Sequence, residues 1–237
     1  MNLKEKIERS RSTERLDFSK YQSIDKNDQL VRIETNAKIL VEPCWMIEND
    51  WEGERYRDYI KKHPAYNGVY IRSELAKRLQ VAVLGFDDKY RMVIRAGHRP
   101  IEVQRRILID CADEFMKDHP GLSKEKALEH AREFVSDPDL TLPPHVCGAA
   151  VDVDVIDRTN GQLLDFGSKL NADTEKTILY CPDLTEDQKS NRLMLVTAML
   201  DAGLASCMSE WWHFSYGDQI WAWFYSELNS LYSPVDL

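Results

Sequence analysis

The chain has 237 residues, 43% of them hydrophobic and 30% charged, an ordinary globular composition long enough to build one large core. A formal charge of −9, with no basic cluster free of interleaved acids, excludes nucleic acid as the main partner, because phosphate binding needs clustered Lys and Arg. No apolar run reaches membrane-spanning length, and Met1-Asn2-Leu3-Lys4-Glu5-Lys6 lacks the apolar core of a signal peptide, so a cytoplasmic protein with no membrane partner is expected.

The first 35 residues read as a charged arm that orders only where it docks, followed by one domain over 36–237. Lys38-Ile39-Leu40-Val41-Glu42 is a short strand-like run stopped by Pro43. Ser73 is placed to cap a helix carrying Leu75, Leu79, Val81 and Val83 and closing near Gly85. Arg91 to Ala96 reads as a strand entering the loop Gly97-His98-Arg99-Pro100. A helix from Ile101 to Phe115 puts Val103, Ile107, Leu108, Cys111 and Phe115 on one stripe, and a second runs from Lys124 to Val135.

After the loop bracketed by Asp137-Pro138 and Pro143-Pro144, Ala150 to Val155 alternates as a half-buried strand. Asp152 and Asp154 lie on one of its faces and Val151, Val153 and Val155 on the other. Asn160-Gly161 signals a turn, and Gln162 to Phe166 returns antiparallel. Thr185-Glu186-Asp187-Gln188 is a capping box opening a helix that stops at Gly203. Glu210 to Tyr216 reads as an aromatic strand before a Trp-rich end. The pattern fits one α+β domain with a central antiparallel sheet better than regular βαβ alternation. Five scattered cysteines (Cys44, Cys111, Cys147, Cys181, Cys207) lack any C-x-x-C spacing and read as free thiols.

Two segments about 60 residues apart carry the chemistry. His145 and Asp152 offer an imidazole and a carboxylate, and Glu210-Trp211-Trp212-His213 offers a second imidazole with a spare glutamate. Three protein ligands with a fourth position for water is a catalytic zinc arrangement. A nearby carboxylate that is not a ligand is what a hydrolase needs to deprotonate that water. Each half has a structural alternative: Asp152 paired with an Arg or Lys, and His213 bonded to a carboxylate. Asp154 is the rival ligand on the Asp152 face. Glu210 and His213 converge only if the backbone bends between them, since residues three apart on an ideal strand face opposite ways. Arg99, restrained by Pro100, could stabilise an oxyanion or simply cap the following helix.

Gly97-His98-Arg99-Pro100, His145-x6-Asp152 and Glu210-Trp211-Trp212-His213, in that order, resemble the zinc D-alanyl-D-alanine dipeptidases of the vancomycin-resistance type. These belong to the wider zinc D,D-peptidase family that shares a fold with hedgehog signalling domains. The similar stretch runs over roughly residues 65 to 217 and includes Leu164-Asp165-Phe166-Gly167-Ser168. The resemblance implies a hedgehog/D,D-peptidase-like sheet flanked by helices and one zinc ion per chain, held by His145, Asp152 and His213. It implies Glu210 as catalytic base, Arg99 polarising the scissile carbonyl, and substrate contacts from Ser168, Asn171, Asp173 and Trp212.

Three positions depart from the family pattern. Pro143 stands where Ser is usual, His98 where an aromatic residue, usually Tyr, precedes the Arg, and Asn171 where an Asp holds the substrate ammonium. Asp173 could restore that charge. The expected function is a zinc-dependent dipeptidase acting on a short peptide, D-Ala-D-Ala first, by Glu-assisted attack of zinc-bound water. The alternatives are a related D,D-carboxypeptidase or cell-wall endopeptidase in peptidoglycan metabolism, or a zinc-stabilised binding module without catalysis. Nothing in the sequence specifies an oligomeric state.

Overall fold

Local signals set many of the element boundaries in the computed structural model, which describes residues 1–12, 17, 20–172 and 174–237. The first helix, α1 (Leu3–Arg9), starts with a capping box between Asn2 and Glu5. Strands β1 (Leu30–Arg32) and β2 (Ile39–Val41) precede α2 (Trp51–Lys62), whose first turn is capped by the Asp50 carboxylate on the Gly53 amide at 2.7 Å. Next come β3 (Tyr70–Arg72), α3 (Ser73–Ala82), β4 (Tyr90–Ala96), α4 (Ile101–Asp118) and α5 (Lys124–Ala131). The second half holds β5 (Ala150–Asp157), β6 (Gln162–Leu163), α6 (Glu186–Asp201), β7 (Ala205–Ser206), β8 (His213–Ser215) and α7 (Gln219–Tyr225).

The main sheet runs β2-β4-β5-β8-β7, with β6 paired to the far end of β5, and β1 and β3 form a separate two-stranded ribbon. The sheet is antiparallel except at one edge, where β2 lies parallel to β4. That edge adds a parallel pair to the central antiparallel sheet that the sequence indicates. The connection from β2 to β4 passes through α2, β3 and α3, which is long enough for the crossover a parallel pair needs.

The expected half-buried character of β5 also needs correcting: Ala150 to Val155 are all buried. Val151, Val153 and Val155 join the main core with Met92, Ile94, Leu195, Met199 and Phe214. The opposite face is covered too. Asp154 lies 3.7 Å from Arg95, which sits at the register shift between Ile94 and Ala96 of β4, so the rival to Asp152 has its own cationic partner.

Ser73 is not the cap of α3, which begins at it. Its hydroxyl donates instead to the Asp28 carboxylate, which also accepts the Glu74 amide at 3.1 Å and the Tyr232 hydroxyl at 3.0 Å. A residue 46 positions upstream therefore does the capping. Val81 faces solvent, because the apolar stripe of α3 continues through Leu79 and Ala82. The 210–216 strand is shorter than expected, since Glu210 to Trp212 form a turn ahead of β8. The Trp-rich end folds as α7, capped by the Asp218 carboxylate on the Trp221 amide at 2.8 Å.

The N-terminal helix docks on the body of the fold. Lys6 Nζ donates to the Leu200 carbonyl at 2.8 Å and Arg9 to the Trp223 carbonyl at 3.0 Å. All five cysteines are free. Among the described residues no helix is long and apolar enough to cross a membrane.

Burial works to raise the Asp28 carboxyl, but bonds from Ser73, Glu74 and Tyr232, with Arg72 nearby, hold it below the usual range. Asp28→Ala leaves several of these buried donors unpaired, and urea denaturation should register a loss of about 2–4 kcal/mol. A change under about 0.5 kcal/mol would contradict this anchoring of the arm, α3 and the C-terminal segment.

Candidate active site

The registry of β5 against β8 pairs Asp152 directly with His213, and these two side chains meet in the buried interior. His213 Nδ1 lies 3.1 Å from Asp152 Oδ1. The third member comes from the loop before β5, where His145 Nε2 lies 3.2 Å from Asp152 Oδ2 and 3.2 Å from His213 Nδ1. Gly148 makes this approach possible. Its φ of +66° suits glycine, and a Cβ there would run into the Leu30 side chain.

The donor chemistry of this trio fits a cation. His145 Nδ1 donates to the Gly97 carbonyl at 2.8 Å, which leaves Nε2 as the ring nitrogen turned to the cluster. Nε2 faces the Asp152 carboxylate and the Nδ1 of His213, so two imidazoles and a carboxylate, which give a metal their electron pairs once the imidazole protons facing it are released, meet at one place. Tetrahedral zinc with bonds of 2.0–2.1 Å puts its ligand atoms about 3.3 Å apart, and here one ligand atom from each of the three residues lies within 4.8 Å of the others. Among the described residues this is the one group of three or more His, Cys, Asp or Glu side chains arranged to hold a metal ion. Burial acts to raise the Asp152 carboxyl, but His145 and His213 outweigh it and hold the group well below the usual carboxylate range.

Glu210 stands at the edge of the trio. Its Oε2 is 3.6 Å from His213 Nδ1, and 35% of its side chain is exposed, so it reaches both the cluster and solvent. The turn that brings it there is closed by the His213 amide on the Glu210 carbonyl at 3.2 Å, which supplies the backbone bend the sequence required. Desolvation by the surrounding protein pushes its carboxyl up, opposed by His213 and reinforced by Asp152.

Arg99 is buried rather than a surface cap. Its Nη2 pairs with Glu52 of α2 and its Nη1 donates to Gln104 Oε1 of α4 at 2.7 Å. Burial opposes the Arg99 charge, but Glu52 and other nearby anionic groups more than offset that and favour it. Glu52 was not visible as a site residue in the sequence. Asp50 ahead of an acidic first turn signals a helix start at most, and nothing marks a partner 47 positions away.

The expected substrate contacts are placed less uniformly. Asn171 is exposed, has a φ of +55°, and donates through Nδ2 to Glu52 Oε2 at 3.1 Å. Ser168 is engaged within the fold, accepting from Trp211 Nε1 at 3.0 Å and donating to the Lys176 carbonyl at 3.3 Å. Trp212 is buried, and its ring meets that of Trp211 edge-on. Asp173 lies outside the described residues. Pro143 is buried and its carbonyl accepts the Cys147 amide at 3.1 Å, shaping the turn that carries His145. His98 is also buried, with Nε2–H donating to the Val235 carbonyl at 2.7 Å.

A family model described as Peptidase_M15, D-Ala-D-Ala dipeptidase, matches residues 71–231. The chain is 29% identical over 195 residues to a D-alanyl-D-alanine dipeptidase of Synechocystis, a match covering 72% of this chain and 76% of that protein. It is 28% identical over 141 residues to a D-alanyl-D-alanine dipeptidase of Escherichia coli, covering 59% of this chain and 61% of that one. Among solved structures it is similar to VanYB in complex with D-alanine-D-alanine, at 16% identity and a TM-score of 0.44, over 69% of this chain and 82% of that one.

Two outcomes are expected from this geometry. The zinc-free protein should take up one zinc ion in equilibrium dialysis, and His213→Ala should lose that uptake; unchanged zinc content in the variant would refute the ligand set. Burial, against the bond to Val235, pushes His98 down to about 4 from an ordinary 6.5. Its neutral form is therefore the native one. The associated stability is present above pH 6.5 and is lost as pH falls toward 4. Between pH 7 and 4.5 the protein should lose about 2 kcal/mol more than His98→Gln in urea titrations, and equal losses would contradict this.

Proposed function

We propose that this chain, which belongs to the D-Ala-D-Ala dipeptidase family, hydrolyses free D-alanyl-D-alanine through a zinc site formed by His145, Asp152 and His213. The observation that carries this reading is the convergence of His145 Nε2, His213 Nδ1 and the Asp152 carboxylate, whose two oxygens lie 3.1 and 3.2 Å from the two imidazole nitrogens, with Glu210 beside them and Arg99 buried nearby. The names of the Synechocystis and Escherichia coli relatives support the substrate.

When bound, a zinc ion supplies Lewis acidity and brings the pKa of a water toward neutrality. The chain's own residues do the rest. Glu210 accepts the proton of the attacking water and returns it to the leaving amine, a role suited to a carboxyl raised above its ordinary value yet open to solvent. Arg99, whose charge is held by Glu52 and Gln104, stabilises the negative charge that develops on the scissile carbonyl oxygen. His145 keeps its Nε2 directed at the cluster because the Gly97 carbonyl holds its other nitrogen.

Asn171, Asp173, Ser168 and Trp212 are proposed as substrate contacts, the first two at the substrate's amino end. A cytoplasmic location and a catalytic domain over residues 36–237 complete the reading, and cell fractionation would check the first.

Glu210→Gln should lower kcat on D-Ala-D-Ala by about 10²–10⁴-fold while keeping zinc. Retained turnover would remove Glu210 as the base. Free D-Ala-D-Ala should be cleaved and N-acetyl-D-Ala-D-Ala should not; equal cleavage of both would turn the reading toward a carboxypeptidase.

A further inference from the structure

Outside the span matched by the family model, α2 delivers one buried carboxylate to the neighbourhood of the site. Glu52 is the second residue of α2, and its side chain is 6% exposed. A carboxylate so buried is costly unless its oxygens are satisfied. Here both are. One oxygen takes Arg99 Nη2, and the other takes Asn171 Nδ2 at 3.1 Å.

The opposite side of the guanidinium is held as well. Arg99 Nη1 donates to Gln104 Oε1 at 2.7 Å, and Gln104 is itself fixed by donating to the Ser136 carbonyl at 2.8 Å. Tyr56, one turn further along α2, is also buried and adjoins the guanidinium. A planar fork gripped at both Nη groups cannot rotate about its long stem. Arg99 Nε–H, buried and without a hydrogen-bond partner among the described residues, is a donor this grip leaves uncommitted. Orienting a charged group before the reaction avoids reorganisation while charge develops.

We propose that Glu52 is a positioning residue for the reaction: it fixes the guanidinium plane of Arg99 and, through Asn171, ties that plane to the segment following Ser168. The inference rests on the reading of Arg99 as the group that stabilises the oxyanion. It assigns a working part of the site to α2 rather than to the family's matched core.

The test compares zinc-loaded full-length wild type, Glu52→Gln, Glu52→Asp, Arg99→Ala and the Glu52→Gln/Arg99→Ala double variant on D-Ala-D-Ala. Glu52→Gln should lower kcat at least about tenfold with KM within about threefold and zinc content unchanged, because it removes a charge-assisted bond while keeping the shape. Glu52→Asp, which keeps the charge and also serves if the Gln variant does not fold, should recover part of that loss. In the Arg99→Ala background, Glu52→Gln should change kcat less than about twofold, since a residue acting through Arg99 has nothing left to position. A kcat for Glu52→Gln within twofold of wild type, or the same tenfold loss without Arg99, would overturn the proposal.

A second readout does not need turnover. The Arg99 side-chain N–H resonances should exchange with water at least about tenfold faster in Glu52→Gln than in wild type, and an unchanged rate contradicts the grip. Wild-type protein that fails to cleave the dipeptide would defeat the proposed function, leaving the exchange rates to decide the role of Glu52.

Discussion

Asp152 lies near the middle of the central sheet with 4% of its surface exposed, facing imidazole nitrogens at 3.1 and 3.2 Å. An anion in that position is stable only with positive charge or strong donors around it. The main sheet is organised to provide that. β8 pairs with β5 so that His213 falls opposite Asp152, and the loop entering β5 turns at Gly148 to set His145 against both. The valines on the other face of β5 pack into the core and hold the strand rigid. Stability and chemistry therefore share one strand, with the apolar face anchoring it and the carboxylate face carrying the site.

The parts of this arrangement legible in the sequence were those written in local pattern. Alternation over Ala150 to Val155 correctly put Asp152 and Asp154 on one face, and the capping box at Thr185 started a helix where it should. What alternation could not decide was the environment of each carboxylate. The register shift in β4 that gives Asp154 to Arg95 leaves Asp152 to the imidazoles, and a bulge of that kind has no signature in a single strand. Likewise, Glu210 and His213 meet because the chain turns between them. The aromatic run Trp211-Trp212 reads as strand by propensity, yet the packing of Trp211 on Phe166 and the bond from the His213 amide to Glu210 impose a turn.

Long-range polar pairs were the least visible. Asp28 caps α3 across 46 residues and Glu52 reaches Arg99 across 47, and neither partner is marked by periodicity or by a short motif. Both lie before residue 71, where the family match begins. The N-terminal third is thus more than a charged lead-in. Its helix α1 packs on α6, α2 on α4 and α3 on α6, and two of its carboxylates satisfy buried donors in the body of the fold. The departures Asn171 and His98 also acquire physical partners, Glu52 and the Val235 carbonyl, so each is built into the packing around the site.

The central claim is that His145, Asp152 and His213 bind zinc as two imidazoles and one carboxylate with room for a solvent ligand. X-ray absorption at the zinc edge of the metal-loaded protein tests it most directly. The account predicts a first shell of nitrogen and oxygen atoms at about 2.0–2.1 Å containing two imidazole signatures and no sulfur. A thiolate contribution near about 2.3 Å, or a shell without imidazole, would contradict it.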